Sequence, residues 1–321
     1  MKSFAFVFPG QGSQSVGMLD GWGDHPVVLE VLREASDALG EDIGKLIHEG
    51  PKEALALTTN TQPVMLVAGV AAFRAWMAET GRMPTAVAGH SLGEYSAMVA
   101  AGVLTLRQAA PLVRFRAQAM QEAVPVGIGA MAAVLGMEAA QVVATCLEVT
   151  QSYGPNSLET VEAVNFNDPA QTVIAGSKAA VDSACEAVKA KGAKRALPLP
   201  VSAPFHSSLM RPAAERLREQ LESIEFCSPS IALINNIDVT VEVDADRIRD
   251  ALYRQAFGPV RWVECVRAIK AHGIVSVVEC GPGKVLAGMV RRIDPEMNGM
   301  ALLDPGSLAE VKRELVGDEH E

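Results

Sequence analysis

Thr85-Ala86-Val87-Ala88-Gly89-His90-Ser91-Leu92-Gly93-Glu94-Tyr95 is the stretch on which the fold turns. Residues 85–88 read as a short buried strand, and about 92–101 as a helix closed by Gly102. Between them Gly89-His90-Ser91-Leu92-Gly93 fits G-x-S-x-G, and the strand–turn–helix setting is what gives that pattern meaning. A turn this sharp holds the serine hydroxyl at the top of a sheet. The flanking glycines let backbones pass closely. The start of the helix offers free N–H groups and a positive dipole end to developing negative charge. Ser91 is therefore a candidate nucleophile, and the Leu92 N–H a candidate oxyanion-hole donor. The plainer alternative is a Gly-rich turn with a capping serine.

Outward from this segment, Phe4 to Phe8 reads as a buried strand, and the turn Pro9-Gly10-Gln11-Gly12-Ser13-Gln14 follows it. Helices are expected at 26–40, at 62–80 with Pro63 at its start and Gly81 at its stop, and at 105–123. The texture changes after residue 125. Strand 127–134, helix 138–150, strands 161–167 and 171–175, helix 178–191 and strand 194–199 give a β-α-β-β-α-β order, which is ferredoxin-like. Beyond it come a helix at 208–224, a strand at 231–235, helices at 244–256 and 260–272, and a strand at 275–279. Gly281-Pro282-Gly283 opens a last helix, and the tail 317–321 reads as frayed. The expected fold class is α/β. A large α/β-hydrolase-like domain with a mostly parallel sheet, 1–125 and 201–321, carries an inserted small ferredoxin-like domain, 126–200.

Composition narrows the function. The chain has 321 residues, 49% of them hydrophobic, enough for one large core with a satellite. Its net charge of -10 argues against a broad nucleic-acid or anionic-membrane footprint. No stretch approaches the roughly 18 apolar residues that span a bilayer, and the short apolar run at the N-terminus has no cleavage site. A soluble, cytoplasmic protein is expected. Cys146, Cys185, Cys227, Cys265 and Cys280 are scattered, without CxxC pairing, and read as reduced thiols rather than metal ligands. Gly10 and Gly12 follow a strand, but Ser15 stands where a dinucleotide fingerprint needs its third glycine.

The motifs form an ordered series. Phe8-Pro9-Gly10-Gln11-Gly12-Ser13-Gln14, Gly89-His90-Ser91-Leu92-Gly93-Glu94-Tyr95, Arg116 with Met120-Gln121, Val164-Asn165-Phe166-Asn167, Val201-Ser202-Ala203-Pro204-Phe205-His206-Ser207, Gln255 with Pro259-Val260-Arg261-Trp262, and Glu279-Cys280-Gly281-Pro282-Gly283 run from one end of the chain to the other. Together they resemble the acyl-carrier-protein S-malonyltransferase (malonyl-CoA:acyl-carrier-protein transacylase) family.

That resemblance implies roles. Ser91 attacks a thioester, and His206 is general base and then acid. Gln11 supplies the second oxyanion-hole N–H, and Arg116 grips the malonyl carboxylate. The resemblance implies that neutral groups hold the base, where an ordinary hydrolase would supply an acid; between Ser91 and His206 the only aspartates are Asp168 and Asp182. Gln255 matches a neutral orienter instead. Phe205 suits malonyl over branched acyl groups. Met120, Met131 and Leu92 are expected to line the pocket; Asn165, Asn167 and His90 are expected in support.

The implied reaction is ping-pong transfer of malonyl from coenzyme A to the phosphopantetheine of acyl carrier protein, serving fatty acid synthesis, with no cofactor and no metal. Acyl carrier protein and a coenzyme A thioester are the expected partners, with no nucleic acid and no membrane, and a monomer is expected. Lys189, Lys191, Lys194 and Arg195, or Lys284, Arg291 and Arg292, are candidate docking cations. The alternatives are a serine hydrolase or thioesterase on the same elbow, the same transfer in polyketide synthesis, and a non-catalytic carrier-protein docking module.

Overall fold

Two sheets carry the chain in the computed structural model, which describes residues 2–201 and 203–316. Ser202 and the tail 317–321, expected to fray, lie outside the described residues. In chain order the elements are β1 (Phe4–Phe8), α1 (Pro26–Leu39), α2 (Ile43–Glu49), α3 (Lys52–Leu55), α4 (Thr58–Thr80), β2 (Ala86–Gly89), α5 (Gly93–Ala100) and α6 (Leu106–Glu122). Then follow β3 (Gly129–Leu135), α7 (Ala139–Ser152), β4 (Val161–Asp168), β5 (Gln171–Ser177), α8 (Lys178–Ala190) and β6 (Arg195–Pro198). The chain continues through α9 (Arg211–Glu222), β7 (Ala232–Ile234), α10 (Ala245–Phe257), α11 (Trp262–Ala271), β8 (Ser276–Cys280), α12 (Val285–Ile293), β9 (Asn298–Leu302) and α13 (Pro305–Val316).

The larger sheet has order β7-β2-β1-β8-β9, and all its pairings are parallel. Its central strand shows why both faces must be covered. Phe4, Phe6 and Phe8 point to one side, where Phe73 and Trp76 of α4 meet them edge-on. Ala5 and Val7 point to the other, against Trp262 and Ile269 of α11 and Val290 of α12. The all-apolar run is thus the signature of a doubly covered parallel strand. Helix α4 is apolar around most of its circumference, as its burial in the middle of the larger core requires.

The smaller sheet is antiparallel with order β4-β5-β3-β6, flanked by α7 and α8, which is the ferredoxin-like arrangement. The α/β fold class is as expected, with two departures. Helix α4 begins at Thr58, so Pro63 sits inside it rather than at its start. Packing on all sides of α4 outweighs the roughly 3 kcal/mol that an interior proline costs. The helix after Gly283 is not the last, because β9, which extends the parallel sheet past β8, and α13 follow.

The chain order of the larger sheet reverses at β1, with β2 on one side and β8 on the other. Ligands of open α/β sheets bind at the carboxyl ends of strands flanking such a reversal. The turns after β1 and β2 hold Gln11 and Ser91.

Candidate active site

Ser91 sits at the tip of the turn between β2 and α5 with φ of 54°, a left-handed conformation that a side chain adopts at a cost. Close backbone approach demands glycine on either side of it. A Cβ on Gly89 would lie 1.9 Å from the Gly93 backbone, and one on Gly93 would lie 2.0 Å from the Phe8 carbonyl oxygen. Asn236, beyond β7, clamps the turn from behind. Its Oδ1 accepts the Ser91 N–H at 2.8 Å, and its Nδ2 donates to the Gly89 carbonyl at 2.7 Å. Gly10 lets the turn after β1 approach, since a Cβ there would be 2.7 Å from the His90 carbonyl oxygen. This brings Gln11 to the same cleft wall as Leu92.

His206 reaches the serine from a loop, itself at φ of 66°. Its Nε2 is 2.6 Å from Ser91 Oγ, and its Nδ1 is 2.9 Å from the main-chain carbonyl of Gln255. A carbonyl only accepts, so Nδ1 carries the proton and Nε2 presents its lone pair to the serine hydroxyl. Gln255 is therefore the orienter through its backbone, not its side chain. Burial, with the Arg116 cation nearby, pushes the imidazole down to about 3. The resting imidazole is neutral, with its Nε2 lone pair toward the serine hydroxyl.

Arg116 projects from α6, a helix started by a reciprocal capping box between Thr105 and Gln108. It is 2% exposed. Its guanidinium donates to Gln62 Oε1 at 2.6 Å, to Gln255 Oε1 at 3.0 Å and to Ser91 Oγ at 3.3 Å, and lies over the Tyr95 ring. Arg114, on another face, pairs with Glu41 at the surface. Each hydrogen-bond acceptor of Arg116 is thus a neutral oxygen.

The cleft around these groups encloses about 570 Å³, part of it open to solvent. Met120, Met131, Leu92, Asn165 and Phe205 line it, with Leu199 and Val201. Asn165 Oδ1 is buried without a partner. Asn167 is turned instead to His90, whose Nε2 lies 2.8 Å from its Oδ1 while the ring packs on Trp262. The sequence on its own assigns no role to Gln62, Asn236 or Glu94. Glu94 had a readable signal, being a lone acid in the otherwise apolar helix α5. Asn236 and Gln62 join the site only through long-range packing. Among the described residues no cluster of His, Cys, Asp and Glu is arranged to hold a metal ion.

A serine–histidine pair beside a buried cation, at the carboxyl edge of a parallel sheet, defines the class of acyl transferases, and the acyl transferase domain family matches residues 5–301 of the chain. The malonyl CoA-acyl carrier protein transacylase of Escherichia coli is 49% identical over 310 residues, 96% of this chain and 98% of the relative. The crystal structure of an acyl-carrier-protein S-malonyltransferase from Burkholderia pseudomallei aligns with a TM-score of 0.93 at 61% identity, over 97% of this chain and 99% of that one. The chain belongs to the family of malonyl CoA-acyl carrier protein transacylases. A malonyl-transacylase solved in complex with its type II polyketide synthase acyl-carrier protein also aligns, with a TM-score of 0.93 at 48% identity, over 98% of this chain and 99% of that one.

Proposed function

We propose that this enzyme moves a malonyl group from malonyl-CoA to the phosphopantetheine thiol of acyl carrier protein through a malonyl ester on Ser91. The observation that carries the reading is the buried Arg116 guanidinium, held by neutral oxygens 3.3 Å from the nucleophile. A fixed cation there favours an acyl group that brings its own carboxylate, and disfavours acetyl.

Malonyl enters with its carboxylate on Arg116. His206 Nε2 takes the Ser91 proton as Oγ attacks the thioester carbon, and the N–H groups of Gln11 and Leu92 receive the oxyanion. The proton returns to the departing sulfur of coenzyme A. The carrier thiol then attacks the malonyl ester by the reverse steps, and Ser91 regains its proton. The bound carboxylate offsets the Arg116 charge, one cause of the low basicity of His206. The base is therefore strengthened when the correct acyl group is seated. No cofactor or metal has a part in this scheme, and a monomer in the cytoplasm suffices for it.

We assign the small domain to 126–200, within 1–125 and 201–321, with the cleft between the two parts. Of the candidate docking cations, Lys189, Lys191 and Arg292 are engaged with Glu186, Glu148 and Asp168. Lys194, Arg195 and Lys284 then stand first in line for the anionic partners. The relative bound to a polyketide carrier protein favours a second reading, the same chemistry serving polyketide synthesis.

Malonyl-CoA consumption with and without holo acyl carrier protein tests the proposal. Fast turnover only with carrier protein, yielding malonyl carrier protein, is expected. Fast turnover without any thiol acceptor would make the enzyme a hydrolase.

A further inference from the structure

Glu94 is 2% exposed on the first turn of α5 and takes no part in the chemistry described above. Its Oε2 accepts two hydrogen bonds, from the Asn236 N–H at 3.0 Å and from Gln255 Nε2 at 3.1 Å. Each donor holds a different part of the site. Asn236 clamps both sides of the strained serine turn, at the Gly89 carbonyl and the Ser91 N–H. Gln255 does three things. Its backbone carbonyl orients His206, its Oε1 accepts from Arg116, and its Nε2 also donates to the Ser91 carbonyl. One carboxyl oxygen therefore joins the clamp on the nucleophile to the residue that sets both the base and the cation.

We propose that Glu94 is a positioning residue for acyl transfer, fixing Gln255 and Asn236 so that Ser91, His206 and Arg116 keep one mutual geometry. The inference rests on the malonyl-transfer reading of the same site. Both partners are N–H donors, so the two hydrogen bonds need an acceptor oxygen there and not a negative charge. Burial pushes the Glu94 carboxyl up to about 7, so a neutral form is already accessible near neutral pH. A glutamine can present its carbonyl oxygen in the same place; an alanine leaves two buried donors unmatched.

The test measures steady-state malonyl transfer from malonyl-CoA to holo acyl carrier protein, as kcat and KM, for the wild type, Glu94→Gln and Glu94→Ala, with thermal melting of each. Misplacing reacting groups by about 1 Å costs of the order of 100-fold. Glu94→Ala is expected to lose about 10- to 100-fold in kcat at temperatures well below its melting point, and Glu94→Gln to recover most of that loss. If the alanine variant melts lower but keeps its kcat, or the glutamine variant loses as much as alanine, the inference is overturned. Absence of malonylation in the wild type would instead overturn the transfer reading itself.

Discussion

At the scale of single residues, the site departs from an ordinary hydrolase in its charge pattern. His206 is oriented by a backbone carbonyl rather than a carboxylate, so its protonated form is supported by a neutral acceptor and not by a countercharge. The folded imidazole binds a proton near 3, whereas an ordinary one does so near 6.5. Between these values the unfolded chain binds a proton that the folded chain does not. Stability from this residue is therefore complete above about 6.5 and is lost as pH falls toward about 3. Urea unfolding from pH 7 to 4 is expected to show this slope, and His206→Gln to flatten it. The acid limb of kcat/KM should likewise fall well below the ordinary histidine range, and a limb centred near 6.5 would contradict the geometry. Ser91, His206 and Arg116 were legible because each sits in a local motif. The atom of Gln255 that orients the base was not, since sequence names a residue and leaves backbone and side chain undecided.

Among the elements, the turn between β2 and α5 is the most constrained. Its glycines face backbone atoms at distances no side chain tolerates, and backbone cannot step aside as a flexible side chain can. Gly93→Ala is expected to cost at least about 3 kcal/mol, at the upper end of overpacking effects, read as a lowered urea midpoint. A midpoint equal to wild type would mean that the elbow is not closed as described. The same elements show which sequence signals carry. The β-α-β-β-α-β run of the small sheet was readable because its strands and helices alternate cleanly with turn residues. Strand β9, Asn-Gly-Met-Ala-Leu, was not, because it is short, contains glycine and buries only Leu302. Its place is decided by the edge that β8 leaves open. Helix α13 was readable in principle, with Leu308, Val311 and Leu315 on one face. Pro63 misled the reading of α4 because proline marks helix starts on average, while packing decided here.

For the molecule as a whole, the two sheets matter because they bring opposite walls to one cleft. Met131 and Asn165 come from the antiparallel sheet, and Ser91 and Arg116 from the parallel one and its helices. The walls are tied together. The Phe166 N–H donates to the Val260 carbonyl at 2.9 Å, the Val260 N–H to the Val164 carbonyl at 2.8 Å, and Arg292 pairs with the buried Asp168 at 2.8 Å. None of these ties was visible in the sequence, because each joins residues far apart in the chain. The net charge of -10 was visible, and it leaves recognition of an anionic substrate to local cations such as Arg116. The most direct test of that central claim is intact-protein mass spectrometry after brief exposure to malonyl-CoA, with Ser91→Ala and Arg116→Ala alongside. The account predicts one malonyl group on the wild type, none on Ser91→Ala, and at least about 10-fold slower labelling of Arg116→Ala, as loss of a charge-assisted contact implies. A malonyl adduct that survives Ser91→Ala, or forms equally fast on Arg116→Ala, would contradict it.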